Sequence, residues 1–343
     1  MPTTLLLAAA LVGCSSTAGE DDAMSAEPEA DTGGAESDDG GRDSGPGAQE
    51  PVTAAGEGDG SSGGGTEDGA GDDSRDDDNG APPLPAGCPD EWPNGWVFCE
   101  DFETLDDPLD SFSQYASADG ALAIDARAGA LRADYREGVE EAGWVLVSFG
   151  ASPVAHEGGT THASEARFEE IYWRVKVKHE LGWPDVGPGV FGRASAFAGE
   201  DWSEALVAEL RSSAGETTLE AVPLTCVNGE AVFCDGYNDA SSLEELDKIV
   251  GKTPLFSSKL SGEWHCVEAH VRLNERGVAD GVFEFWIDDE LQNSRVNIVW
   301  RGDWAEYGLN AVTLDNFWPG GARADLTRWM DDVVVSTEPI GCD

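Results

Sequence analysis

Between residues 264 and 289 the chain reads WHCVEAHVRLNERGVADGVFEFWIDD, and its apolar positions recur every second residue. His265, Val267, Ala269, Val271 and Leu273 fall on one face, and Trp264, Cys266, Glu268, His270 and Arg272 on the other. Side chains of a strand alternate across its two faces, so this period predicts a strand with one buried and one polar side. Phe283, Phe285 and Ile287 against Glu284, Trp286 and Asp288 predict a second strand after a polar loop containing glycine. By parity His265 belongs with the valines and reads as a satisfied core histidine.

The same pattern recurs through the second half of the chain. It predicts strands at 97–103, 121–124, 130–135, 143–149, 166–177, 205–210, 218–223, 264–273, 282–288, 311–318 and 328–336. One helix is predicted at 242–249, where SLEELDKI spaces Leu243, Leu246 and Ile249 at helical intervals. Eleven short strands separated by turn residues predict an all-β, antiparallel two-sheet jelly-roll sandwich over residues 87–343.

The first part of the chain has a different composition. Residues 15–86 carry 20 Asp or Glu against two Arg, with much Gly and Ser and no aromatic residue. Such a segment has too little apolar surface to offset its ordering entropy and is expected to be a disordered acidic tether. The rest is still acidic, within a chain of 343 residues and net charge −48. That balance excludes nucleic acid as a partner, and it excludes electrostatic binding to an acidic membrane.

Residues 5–12 form an apolar run too short to span a bilayer, ending in Leu11-Val12-Gly13-Cys14. These four residues resemble the lipobox of bacterial lipoproteins. The resemblance implies a signal segment over 1–14, lipidation at Cys14, and an outer-membrane or surface location, with the lipid anchor as the only membrane contact. The amino-terminal MPTT lacks the usual Lys or Arg, and the competing reading is a plain secretory signal.

Six further cysteines, Cys88, Cys99, Cys226, Cys234, Cys266 and Cys342, make an even set that suits disulfides in an exported chain. Cys226 and Cys234 flank an Asn228-Gly229 turn and are expected to pair. The other four allow three pairings.

FCEDFE, IYWRVKVK, WHCVEAHV with DGVFEFWIDD, and RWMDDVVVS together resemble the concanavalin A-like lectin/glucanase superfamily, and within it the polysaccharide lyase-like jelly rolls. The resemblance covers residues 88–342 and implies two curved sheets with a saccharide groove on the concave face. Related jelly rolls often hold a structural calcium between an early Phe-Glu and a late Asp-Asp. Glu103, Asp331 and Asp332 match that pattern, and two unrelated acidic edges are the alternative.

By strand parity Tyr172, Arg174, Lys176 and Lys178 point one way. Joined with Glu209, Arg211, Glu268, His270, Arg272, Glu284 and Trp286 they would form a mixed acid and base strip suited to sugars and to a uronate carboxylate. A solvated outer face is the competing reading. On the groove reading His270 is the candidate base for β-elimination, Tyr172 the acid, and Arg174 or Arg211 the group that neutralises the uronate. Lys176, Glu209, Glu268, Arg272 and Trp286 are candidate substrate contacts. Retaining hydrolysis is disfavoured, because EALVAE at 204–209 lacks the E-x-D-x-E spacing that the resemblance implies for retaining glycosidases of that superfamily. Three functions stay open: an anionic-polysaccharide lyase, a non-catalytic carbohydrate-binding or adhesion module, and a structural envelope protein. Each is expected to act as a monomer on a polysaccharide or cell-surface glycan.

Overall fold

The computed structural model describes residues 87–342 apart from 157, 159 and 214. Cys14 and the acidic segment 15–86 lie outside the described residues. In chain order the strands are β1 (Trp96–Glu100), β2 (Gln114–Ala116), β3 (Leu122–Asp125), β4 (Ala130–Tyr135), β5 (Glu141–Ser148), β6 (Glu170–His179), β7 (Val190–Phe197), β8 (Glu204–Arg211) and β9 (Glu220–Thr225). The short pieces β10 (Val227–Asn228), β11 (Ala231–Val232), β12 (Glu244–Glu245) and β13 (Ile249–Val250) follow. The last five are β14 (Trp264–Arg272), β15 (Gly281–Ile287), β16 (Glu290–Ile298), β17 (Ala311–Phe317) and β18 (Leu326–Ser336).

They build two antiparallel sheets. Sheet one runs β16-β15-β14-β6-β18-β4-β3, with β1 also on β18. Sheet two runs β12-β9-β8-β7-β17-β5-β2, with β13 also on β9. This is the two-sheet antiparallel sandwich expected from the period-two pattern.

The core forms where the inward residues of the two sheets meet. Ile171, Trp173, Val175 and Val177 of β6 and Val267, Ala269 and Val271 of β14 are fully buried against Ala194, Leu206, Ala208, Leu210 and Leu314 from sheet two. Trp183, Trp300, Trp304 and Trp318, all beside loop-forming residues, are buried in the same core cluster.

Two departures from the sequence reading matter. Residues 242–249 are not helical: Glu244–Glu245 and Ile249–Val250 pair with β9. Isolated helices this short are marginal, and here the edge of sheet two offers backbone partners while Arg211 and Lys248 hold the excursion through Glu245 and Glu220. Strand β7, absent from the predicted set, is central to sheet two. Its residues Gly192, Ala194 and Ala196 are small because large side chains occupy the space. A Cβ on Gly192 would come within 3.1 Å of the Trp173 ring and of the Thr313 carbonyl.

All six remaining cysteines are bonded, as Cys88–Cys99, Cys226–Cys234 and Cys266–Cys342. The second is the expected local bridge, and the others settle the pairing that spacing left open.

Candidate functional site

The residues expected to form one strip are divided between the outward faces of the two sheets. Tyr172, Arg174, Lys176, Glu268, His270, Arg272 and Trp286 share the outward face of sheet one, as parity requires. Glu209 and Arg211 belong to the outward face of sheet two, so they do not join the others. Alternation tells which face of its own sheet a residue takes, but not which sheet its strand joins.

Much of the sheet-one face is covered. Glu268 is 5% exposed because its carboxylate accepts the backbone N–H groups of Ile340 at 2.9 Å and Gly341 at 2.8 Å. The Arg174 guanidinium donates to the Gly341 carbonyl at 2.9 Å and packs over Trp96. With the Cys266–Cys342 bond, these contacts strap the C-terminal segment across β14 and β6. His270 stacks on Tyr172 with ring centroids 4.3 Å apart, and its two ring nitrogens meet Glu170 at 2.7 Å and Glu284 at 3.1 Å. Burial, reinforced by Glu170 and Glu284, pushes the Tyr172 phenol up to about 12. His270 is thus bracketed by two carboxylates and stacked on a phenol, an interlocked cluster on this face. Arg272 donates to the Asp280 carbonyl, holding the loop between β14 and β15. His265, between Asp288 at 2.7 Å and the Leu260 carbonyl at 3.1 Å, is a satisfied structural histidine.

Glu103 and Asp332, two of the acids expected at a calcium ion, each have a neighbour of another kind. The Glu103 carboxylate lies against Gly129 in the turn between β3 and β4, and the Lys176 ammonium holds Asp332 at 2.8 Å. Among the described residues no group of three or more His, Cys, Asp or Glu is gathered for a metal ion.

A cleft of about 480 Å³ opens instead on the outward face of sheet two, lined by residues including Trp144, Arg193, Val207, Glu209, Arg211, Tyr237, Asn238 and Asp315. A shallower hollow of about 400 Å³ shares Val190, Glu209 and Arg211 with it and extends to Ser212, Ser213, Glu220 and Pro319. Register explains the floor. Thr313, Arg193, Glu209 and Val222 stand opposite one another across β17, β7, β8 and β9, with Trp144 and Asp315 on the next rung.

Glu204 joins this face through a bulge. Leu206 pairs with Ala196 but Glu204 with Phe197, so the extra residue Ala205 brings Glu204 round to the side of Glu209. EALVAE, read without the bulge, puts the two acids on opposite faces.

Arg193 is the hub. Its guanidinium is 4% exposed, lies 3.5 Å from Asp315 and 4.0 Å from Glu204, and donates to the Tyr237 hydroxyl and the Asn238 side-chain carbonyl. Glu204, fully buried, also accepts from Ser195 Oγ at 2.9 Å and from the Asn238 backbone N–H at 3.1 Å. Burial raises the carboxyls of Asp315 and Glu209 above the usual range, with Arg193 opposing the shift in both. Arg211 is divided among Glu209, Glu220 and Glu245 at 3.1–3.2 Å. Arg211 is therefore saturated with carboxylates, Arg193 has two carboxylates within 4.0 Å, and acids are in excess.

Trp144 and Tyr237 of this lining lie 6.2 Å apart at 33°, and Trp202 meets Tyr237 and His156 edge-on. Of the cleft residues, Glu209 and Arg211 were singled out in the sequence. Arg193, Tyr237 and Asn238 were not, since β7 and the 235–240 loop give no alternating signal, and Trp144 lies on the expected strand 143–149 without having been named.

No family model matches the chain, and no curated protein matches it. Among solved structures it is similar to an alginate lyase in complex with an alginate tetrasaccharide, at 12% identity and a TM-score of 0.47, over 71% of this chain and 98% of that one. It is similar to an endo-β-1,4-glucuronan lyase from Trichoderma reesei, at 14% identity and a TM-score of 0.45, over 71% and 96%. An endo-1,3-β-glucanase from Streptomyces sioyaensis is similar at 12% identity and a TM-score of 0.42, over 74% and 100%. At these values the likeness carries nothing about substrate or chemistry.

Proposed function

We propose that the domain binds a polysaccharide chain in the sheet-two cleft, without cleaving it, at the cell envelope to which a lipidated Cys14 tethers it. The observation that supports this reading is the half-buried Trp144 in a cleft floored by hydrogen-bonding groups whose cations already face carboxylates. Indole and phenol rings stack on the apolar faces of pyranoses, and carboxylates with Asn238 accept from ring hydroxyls. The acid excess favours uncharged sugars, because a uronate would bring its own carboxylate to a site with no unpaired cation.

A second reading, β-elimination of a uronate polymer, draws its support from the bond between Arg193 and the Tyr237 hydroxyl. On this reading the phenol held by the guanidinium carries the proton, and Asn238 beside it faces the substrate carboxylate. Two measurements separate the readings. Titration of the protein with neutral β-glucan oligosaccharides is expected to show binding, weakened ~10-fold, about 1.4 kcal/mol, in Trp144→Ala. Incubation with alginate and glucuronan is expected to leave ultraviolet absorbance flat. Rising absorbance that Tyr237→Phe abolishes would establish the lyase instead.

A further inference from the structure

The C-terminal strap covers only part of the outward face of sheet one. One rung further along, Trp264 of β14 stands opposite Lys178 of β6, Lys178 opposite Trp329 of β18, and Trp329 opposite Arg132 of β4. All four side chains take the outward face, because Val177, Arg328, Met330, Leu131 and Ala133 beside them are buried in the interior.

The charges on this face are not equivalent. Lys176 is paired with Asp332, and Arg132 with Asp134 and Asp125. The Lys178 ammonium has no carboxylate partner among the described residues. It lies between two indoles, 5.5 Å from the Trp264 ring centre and 5.3 Å from that of Trp329. Trp264 is 39% exposed, an unusual state for the largest apolar side chain, and Trp329 is half-buried with its Nε1–H donating to Asp125 at 3.2 Å. Beside Trp264 opens a hollow of about 480 Å³ lined by Lys176, Asp288, Asp289, Asp331 and Asp332.

We propose that the rung Trp264–Lys178–Trp329 is a second saccharide-binding surface, taking an uncharged β-linked pyranose chain laid across the strands, on the opposite side of the sandwich from the cleft. The two indoles are two strand spacings apart, about 10 Å, which suits alternate sugars of one extended chain. Lys178 between them offers ammonium donors to the hydroxyls of the intervening sugar, and the aspartates of the hollow accept hydroxyl protons from the flank. Those same aspartates select against a polyanion. The proposal stands apart from the cleft reading, since no residue is shared.

Retardation of the full chain in gels containing hydroxyethylcellulose or soluble xylan tests it. Trp264→Ala is expected to weaken retardation roughly fivefold. It should do so in the wild-type background and again in a Trp144→Ala background, with thermal unfolding unchanged. Lys178→Gln and Trp329→Ala are expected to move the same way. Wild-type retardation that persists undiminished in Trp264→Ala and Trp329→Ala overturns the proposal, whatever Trp144→Ala does; so does absence of retardation by both polymers. In those cases Lys178 is only a staple between two rings.

Discussion

At the scale of single residues, Arg193 and Asp331 show how burial governs charge in this domain. Arg193 neutralises Glu204 and Asp315 in a nearly dry setting, so Arg193→Ala leaves two buried carboxylates without their cation. A loss of about 3–5 kcal/mol in urea unfolding is expected. Most of it should return when Arg193→Met is combined with Glu204→Gln and Asp315→Asn, since the cost belongs to the unpaired charges. Asp331 is pushed up to about 7, first by burial and then by Asp332 and Asp101. An unfolded aspartate ionises near pH 4, so the folded state takes up this proton more readily. The stabilisation it contributes is therefore present below about pH 4 and lost as pH rises through about 7. Asp331→Asn is expected to flatten the dependence of Tm on pH across that window; an unaltered slope would show that another group titrates there.

At the scale of elements, the strands that alternate cleanly were legible and those that do not were missed. β14 and β15 form where the period-two pattern puts them, with Val267, Ala269 and Val271 fully buried. β7 lacks the pattern because Gly192 and two alanines are needed beneath Trp173, and β16 (ELQNSRVNI) is a polar edge strand. The bulge at Ala205 is a property of strand pairing that no count along the chain reveals. Two cleft residues, Glu209 and Arg211, were legible through β8; Arg193 and Tyr237 were not, because of β7 and an irregular loop. The polar face of β14 was read correctly as a face, yet it is held under the C-terminal segment rather than open. That strap leads to a prediction of its own. The Cys266–Cys342 bond spans 76 residues, so Cys266→Ser with Cys342→Ser is expected to cost about 4 kcal/mol by loop-closure entropy. The same change should make the amides of Ile340 and Gly341 exchange faster with solvent.

At the scale of the whole molecule, the two outward faces divide the chemistry that the sequence reading had combined. Sheet one carries the interlocked Tyr172, His270 and Glu268 cluster and the exposed Trp264 rung, while sheet two carries the cleft. Acid excess runs through both, within a chain of net charge −48. On the reading that these carboxylates are paired or solvated, the melting temperature is expected to be the same in calcium and in chelator. A rise of several degrees on adding calcium would restore Asp331 and Asp332 as ligands.

The central claim is that the sheet-two cleft receives an uncharged sugar chain and leaves it intact. Calorimetric titration of the full chain with β-glucan hexasaccharide and with alginate hexasaccharide, on wild type and Trp144→Ala, tests it most directly. Heat from the neutral chain that Trp144→Ala diminishes, and none from alginate, is the expected result. Tighter binding of alginate, followed by the appearance of unsaturated ends, would contradict it.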